Sequence, residues 1–132
     1  MSAESEALAG ILLLSLVTVE TGGLYLMKLW RKPGTATSFQ IGFARAGHAH
    51  AAVLLLLGLV IQPYADAAGL DGAIGWVART GAPAAAILMP AGFFLSSMGE
   101  GRERPNRLVA LVFTGAAVLA VGLTCLGVGL LV

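Results

Sequence analysis

Residues 108–131 read LVALVFTGAAVLAVGLTCLGVGLL, an apolar run without a charged side chain. A helix needs about 20 predominantly apolar residues to cross the hydrocarbon core of a membrane, so this segment is long enough to span it. Comparable runs occur at about residues 7–30, 43–62 and 81–98. The sequence therefore predicts a single all-α integral membrane domain over residues 1–132, a bundle of four transmembrane helices with short cytoplasmic loops.

The composition of the whole chain agrees with this placement. Of its 132 residues, 58% are hydrophobic and 11% are charged, whereas soluble domains are about half apolar and about a quarter charged. A soluble domain of this size could not bury so much apolar surface, and disordered chains are polar and charge-rich. The net charge of +1 does not supply the basic face that nucleic-acid binding requires. The expected partner is the lipid bilayer.

The basic residues predict the orientation of the helices. Seven of the eight lie at or between the ends of the first and second spans or between the third and fourth: Lys28, Arg31, Lys32, Arg45, Arg102, Arg104 and Arg107. The positive-inside rule makes both of these connections cytoplasmic, with both termini outside, in a bacterial-type inner membrane. Residues 62–80 are then expected to form a turn-rich outer loop, with Pro63 closing the second span and Pro83 near the start of the third. Acidic Glu4 and Glu6 stand where a signal peptide would be basic, so we expect the first span to be retained.

Small residues at helical spacing predict which faces of the spans are in contact. Lipid gives apolar helices no hydrophobic reason to associate, so faces that allow close backbone approach mark the contacts. Such stripes occur in the fourth span (Gly115, Gly122, Gly129), the third (Ala82, Ala85, Met89, Gly92, Ser96) and the first (Ser15, Thr18, Gly22, Tyr25). We expect them to pack the bundle and to support a homo-oligomer or a larger membrane complex.

Three ionisable residues inside the spans, Glu20, His48 and His50, are candidate site residues because such groups are costly in a membrane. Burial favours a protonated carboxyl, which makes Glu20 a candidate proton or substrate site, with Arg45 as its companion. Positions two apart on a helix point about 200° apart, so His48 and His50 cannot both ligate one ion from a regular helix. His48 is expected to face inward and His50 a bulkier, lipid-like face. Glu20 with one imidazole could form a metal site or a proton relay. Alternatively, one imidazole bonds a neighbouring carbonyl and the other reaches the headgroups.

Residues 45–54, RAGHAHAAVL, carry a resemblance to a known family. They resemble the histidine-bearing second helix of haem-copper oxidase subunit I and of small four-helix membrane proteins with a His-x-His pair. The resemblance implies that His48 or His50 is an axial haem ligand or a ligand of a transition metal. A second axial ligand would then be Met98 or Met89, or would come from another subunit.

Residues 20–28, ETGGLYLMK, are similar to the first helix of small multidrug resistance transporters. That resemblance implies that protons and cationic drugs compete at Glu20. Three functional classes therefore stay open: a haem- or metal-binding or proton-relay module, a small proton-coupled transporter, and a non-catalytic accessory subunit of a larger membrane complex. The sequence contains no nucleotide, phosphate or nucleophile motif, and it leaves open whether the protein is an enzyme.

Overall fold

The computed structural model describes residues 1–32 and 34–132, and within these ranges it contains helices and no strand. The helices are α1 (Ala3–Arg31), α2 (Ser38–Ala67), α3 (Gly72–Ser97) and α4 (Ala110–Leu131), and a 3₁₀ turn at Arg107–Val109 leads into α4. All four are long and apolar enough to cross a membrane. The predicted all-α fold of four membrane-spanning helices is confirmed.

Local sequence signals fix the starts of α1 and α2. Ser2 precedes α1, and its hydroxyl accepts a hydrogen bond from the Ser5 amide, which satisfies a backbone donor that the first turn leaves unpaired. Thr37 precedes α2 and forms a capping box with Gln40, so that two such donors are satisfied reciprocally.

The helices run antiparallel and pack in chain order. α1 packs on α2, α2 on α3 and α3 on α4, with a minor contact between α2 and α4. The α1–α2 and α3–α4 connections lie together at one end, which we call the basic end because seven of the eight Lys and Arg residues lie in or near it. The α2–α3 connection, residues 68–71, lies at the opposite end with both chain termini. α2 and α3 are therefore the inner helices, and α1 and α4 are the outer ones.

The glycine stripe of α4 is a contact face, as predicted. An added Cβ would lie 2.9 Å from the Gly81 Cα at Gly122 and 2.6 Å from the Met89 Cγ at Gly115. Gly129 contacts Leu70 in the same way. The predicted α3 stripe is also buried along its whole length.

The predicted contact face of α1 is partly wrong. Thr18 and Tyr25 are exposed, and the face that packs on α2 centres on buried Leu12. The hydroxyl of Thr18 donates to the Ser15 carbonyl of its own helix. Small polar residues on α1 are satisfied locally in this way, so they do not require a neighbouring helix.

The predicted outer loop at residues 62–80 is also wrong, because most of it is helical. α2 continues through Pro63 to Ala67, and α3 already begins at Gly72, so Pro83 lies in the interior of α3. The turn between them uses Gly69 and Gly72 at φ of 61° and 58°, a backbone region that glycine adopts without strain. α2 begins at Ser38, before the predicted start of the second span near residue 43, so Arg45 lies inside the helix.

Candidate functional site

His48 lies at the contact between α2 and α1. Its Nδ1 is 3.0 Å from the position that a Cβ on Gly22 would occupy, and its Nε2 is 3.7 Å from that position on Gly23. The two consecutive glycines of α1 therefore leave room for the imidazole ring. His48 is half-buried, as its predicted inward orientation requires. In the described part of the chain, no hydrogen bond reaches either of its ring nitrogens.

His50 points to α3, on the other side of α2. Its Nδ1 donates to the Ala46 carbonyl of its own helix at 2.7 Å, since a carbonyl can only accept. Its ring lies 4.9 Å, centroid to centroid, from Phe93 of α3, and Phe93 packs edge-on against Phe43. The expectation of a lipid-like face for His50 is wrong, because an aromatic row between α2 and α3 includes it.

Glu20 lies on α1 and is exposed. In residues 1–32 and 34–132, no hydrogen bond or ion pair joins its carboxylate to His48 or His50. The imidazole of His48 contacts Gly22 and Gly23 of α1. These two glycines lie on the side of α1 that faces α2, and Glu20 lies on another side. Glu20 and the two histidines thus face three different surroundings: the outside of α1, the α1–α2 contact and the α2–α3 contact.

The remaining predicted site residues are also apart from the histidines. Arg45 is exposed on α2, and Met98 is exposed at the end of α3. Met98 lines a groove at the basic end, whereas Met89 is buried between α3 and α4. Among the residues that the structure describes, no three His, Cys, Asp or Glu side chains come together as a metal site would require.

The most extensive polar cluster lies at the opposite end of the molecule and was not predicted. Arg79 of α3 donates to Asp66 of α2 at 3.0 Å, to the Leu70 carbonyl at 2.8 Å and to the Ser5 hydroxyl at 3.3 Å. Asp66 also accepts from the Ser2 amide at 2.8 Å and from the hydroxyls of Ser2 and Ser5. Arg79–Asp66 is the one ion pair in the described ranges. The cluster ties the start of α1 to the end of α2 and to α3.

Gln62 extends this cluster into the core. It is completely buried, and its Nε2 donates to the Gly58 carbonyl at 2.8 Å and to the Arg79 carbonyl at 3.1 Å. The Arg79 carbonyl lacks its usual helical donor, because residue 83 is a proline without an N–H. Gln62 therefore replaces the hydrogen bond that Pro83 removes. Its Oε1 is buried without a hydrogen-bond partner in the described part of the structure.

One signal in the sequence could have indicated this cluster. Gln62, Asp66 and Arg79 are polar residues at the edges of two apolar runs, and Arg79 is the basic residue that does not belong to the basic end. An isolated arginine near a carboxylate at a span edge is expected to pair with it, because an unpaired charge is costly there. The arrangement holds three helices together.

Neither family resemblance is decided by this geometry, since each rests on one segment of a single helix. The histidines of the first resemblance point to different neighbouring helices, and the glutamate of the second lies outside the packed core. Comparisons of the chain with protein-family models, with curated proteins and with solved structures gave no match.

Proposed function

We propose that this small membrane protein is a non-catalytic assembly subunit, and that α1 is the helix through which it associates with a second copy of itself. The observation that carries the proposal is an exposed seam on α1. Its members repeat at alternating intervals of four and three residues: Leu13, Val17, Glu20, Leu24 and Met27. We call this set the α1 seam.

The spacing of the α1 seam is that of a helix–helix contact. Residues repeated at four and three positions stay on one line along a pair of wrapped helices, as in coiled coils. The four apolar members are between 49% and 67% exposed, so α2 does not cover them. Of the residues in the most apolar 18-residue stretch of α1, only 6% are buried within the chain. α1 thus has a second contact face that the described residues of its own chain leave uncovered.

Glu20 lies at the centre of the α1 seam, and its carboxyl group favours another helix, rather than lipid, as the neighbour of this face. A carboxyl group facing hydrocarbon has no hydrogen-bond partner and is costly even when it is neutral. Two parallel copies of α1 place their Glu20 side chains at the same depth, where one carboxyl group can form a hydrogen bond with the other. A single polar residue in an apolar seam also fixes the register of the two helices.

Disulfide cross-linking in membranes tests the proposal. In a Cys125→Ala background, Leu13→Cys places a thiol on the α1 seam, whereas Leu14→Cys places one at nearly the same depth on another side of α1. Both native leucines are exposed, at 56% and 73%. A disulfide needs Cα atoms within about 7 Å, so we expect oxidation to give a dimer of twice the mass with Leu13→Cys only. Equal yields from the two variants, or an adduct with a different protein, would contradict self-association through this face.

The role of Glu20 has its own readout. Glu20→Gln keeps a hydrogen-bonding side chain and should retain the dimer. Glu20→Leu should weaken it by about 1 kcal/mol, the order of one hydrogen bond between membrane helices. Dimer dissociation in a detergent dilution series measures the difference. A dimer that is unchanged in Glu20→Leu would show that the carboxyl does not contribute.

A haem or metal group on His48 is a second candidate, because no hydrogen bond in the described part of the chain occupies either of its ring nitrogens. Among the described residues the donors do not form a complete ligand set, because His48 and His50 point to different helices. Further ligands would have to come from another chain. Metal analysis and the visible spectrum of purified protein test this candidate: a Soret band lost in His48→Ala and kept in His50→Ala would support it, and a spectrum without such a band in the unaltered protein would end the haem proposal.

A further inference from the structure

A groove at the basic end lies between the second half of α1 and the end of α3. Its volume is about 620 Å³, which is in the range of pockets that hold a small ligand. Its lining includes Tyr25 and Leu29 of α1, Phe94 of α3, and Met98 and Glu100 from the connection after α3. Because α1 and α3 cross the membrane, the apolar part of the groove is accessible to lipid.

Glu100 is the one charged residue in this lining, and its carboxylate is free to bind a ligand. In the described part of the chain no hydrogen bond reaches it, and the one ion pair there joins Arg79 to Asp66 at the opposite end. The nearby Arg102 donates to the Met98 carbonyl at 2.8 Å. A carboxylate forms its strongest hydrogen bonds with charged N–H donors, so Glu100 is suited to a ligand with an ammonium group.

The side-chain donors of the lining are already used within the chain. Both N–H groups of the Gln40 amide donate to carbonyl oxygens, that of Ser97 at 2.9 Å and that of Gly99 at 2.7 Å. Three lining hydroxyls donate to the carbonyl three residues earlier, those of Thr21, Thr35 and Ser97. The Tyr25 hydroxyl has no partner among the described residues, and it can accept as well as donate. The ligand therefore has to bring donors to side chains that mainly accept.

The aromatic rings of the lining favour the same kind of ligand. Tyr25 and Phe94 lie on different helices and both line the groove. The face of an aromatic ring attracts an ammonium group within about 6 Å, and the rest of the ring is an apolar surface. The lining thus combines one carboxylate with surfaces that suit both a cation and a hydrocarbon chain.

We propose that this groove binds phosphatidylethanolamine, with its primary ammonium group on Glu100 and the start of an acyl chain along Leu29 and Phe94. The ammonium group brings a positive charge and three N–H donors, and the acyl chain matches the apolar lining. A membrane lipid is the expected source of the amine, because the groove lies between two membrane-crossing helices at the end where they meet the headgroups. The proposal is independent of association through the α1 seam, since no residue of the α1 seam lines the groove.

Lipid titration of the purified full-length protein in mild detergent tests the proposal. Phosphatidylethanolamine, its N,N-dimethyl derivative and phosphatidylcholine have the same charge but carry three, one and no N–H donors on the nitrogen. Their dissociation constants are obtained from the rise in unfolding temperature with lipid concentration. We expect the affinity to fall along this series, by about tenfold or more between the first lipid and the last, which is the order of a charged hydrogen bond. Equal binding of the three lipids would overturn the proposal.

A variant of the carboxylate and a matched control locate the binding. Glu100→Gln should weaken phosphatidylethanolamine about tenfold, because the charge that pairs with the ammonium group is lost. Glu103→Gln removes the same charge from the same connection at a residue that does not line the groove, and it should change the affinity less than about threefold. Unfolding without added lipid verifies that both variants are folded. Equal losses in the two variants, or no loss in Glu100→Gln, would contradict a site on Glu100.

Two further arms test the lipid itself. Dodecylamine carries a primary ammonium group on a single chain without a phosphate, and it should bind more weakly than phosphatidylethanolamine. Tighter binding of dodecylamine would overturn the assignment to a phospholipid in favour of a free amine. Ala36→Phe, which adds a ring to the lining without changing its charge, should also weaken phosphatidylethanolamine, and unchanged binding would contradict an acyl chain in the groove.

Discussion

Replacing Gln62 by leucine and Pro83 by alanine, singly and together, tests whether the buried amide substitutes for the hydrogen bond that the proline removes. Gln62 Nε2 donates to the Arg79 carbonyl at 3.1 Å, and that carbonyl is without a helical donor because residue 83 is proline. Alanine at residue 83 supplies the missing N–H. The Arg79 carbonyl would then be satisfied within α3, and the contribution of Gln62 should decrease.

The quantity that tests this compensation is the coupling free energy between Gln62→Leu and Pro83→Ala. Leaving a buried carbonyl unpaired costs about 1–3 kcal/mol, but Gln62→Leu also removes the unpaired Oε1, which offsets part of that loss. The effect of the single variant is therefore small or of either sign. Gln62 also loses its hydrogen bond to the Gly58 carbonyl, and Pro83 loses the contacts of its ring with Gly58. The free energies of these two losses cancel in a double-mutant cycle. We expect a coupling of about 1–2 kcal/mol, with Gln62→Leu better tolerated beside Pro83→Ala.

Equilibrium unfolding in mixed micelles, followed by helical circular dichroism, gives the four free energies of the cycle. Pro90→Ala provides the control, because Pro90 also lies inside α3 but frees the carbonyl of Ala86, which Gln62 does not contact. Gln62→Leu and Pro90→Ala should be additive within about 0.5 kcal/mol. Additivity of Gln62→Leu with Pro83→Ala would refute the compensation, as would a coupling of equal size in the control cycle.

Three further predictions concern packing, charge and topology. Gly122→Ala, whose Cβ would lie 2.9 Å from a backbone atom of α3, should destabilise the protein by about 1–3 kcal/mol through overpacking, whereas Gly127→Ala, with open space around it, should be neutral in the same unfolding assay. Arg79→Met should destabilise the protein in the same assay, because it removes the ion-pair partner of the Asp66 carboxylate and the hydrogen bonds to Ser5 and Leu70, and unchanged unfolding would show that the cluster is dispensable. Reporter fusions at Val132 and near Gly34 should report opposite sides of the membrane, with Gly34 cytoplasmic, and equal signals would contradict the predicted topology.

The contacts of α4 could be predicted from the sequence because they depend on one helix and its period. Gly115, Gly122 and Gly129 recur every seven residues, and each meets α3 or the turn before it. Closely packed membrane helices need small residues on the contact line whatever their neighbour is. The neighbour therefore does not have to be known for the face to be identified.

The polar cluster could not be predicted in the same way, because its bonds join residues that are far apart in the chain. Pro63 and Pro83 were interpreted as marking span ends, yet each lies within a helix. A proline removes one hydrogen bond, and a helix continues through it when another donor is present. For Pro83 that donor is Gln62, on a different helix. The local sequence around a proline does not contain this information.

The surroundings of the candidate site residues were predicted in part. A prediction succeeded where it depended on one helix and failed where it depended on a residue of a neighbouring helix. The orientation of His48 followed from the small residues on its own side of α2, and it contacts α1 as expected. His50 was misplaced because the side chain that covers it, Phe93, belongs to α3. A role of His48, His50 or Glu20 in binding or in proton transfer stays a prediction.

α1 can associate with a second copy while it stays packed on α2. One side of α1, centred on Leu12, packs on α2. Successive residues on a helix are separated by about 100°, so the α1 seam lies on one flank of this contact, about 100° from Leu12. A second copy on the α1 seam would therefore leave the α1–α2 contact in place. Loss of the dimer in Glu20→Leu should leave the helical content of the monomer unchanged, and a parallel loss of both would mean that the α1 seam also holds the monomer together.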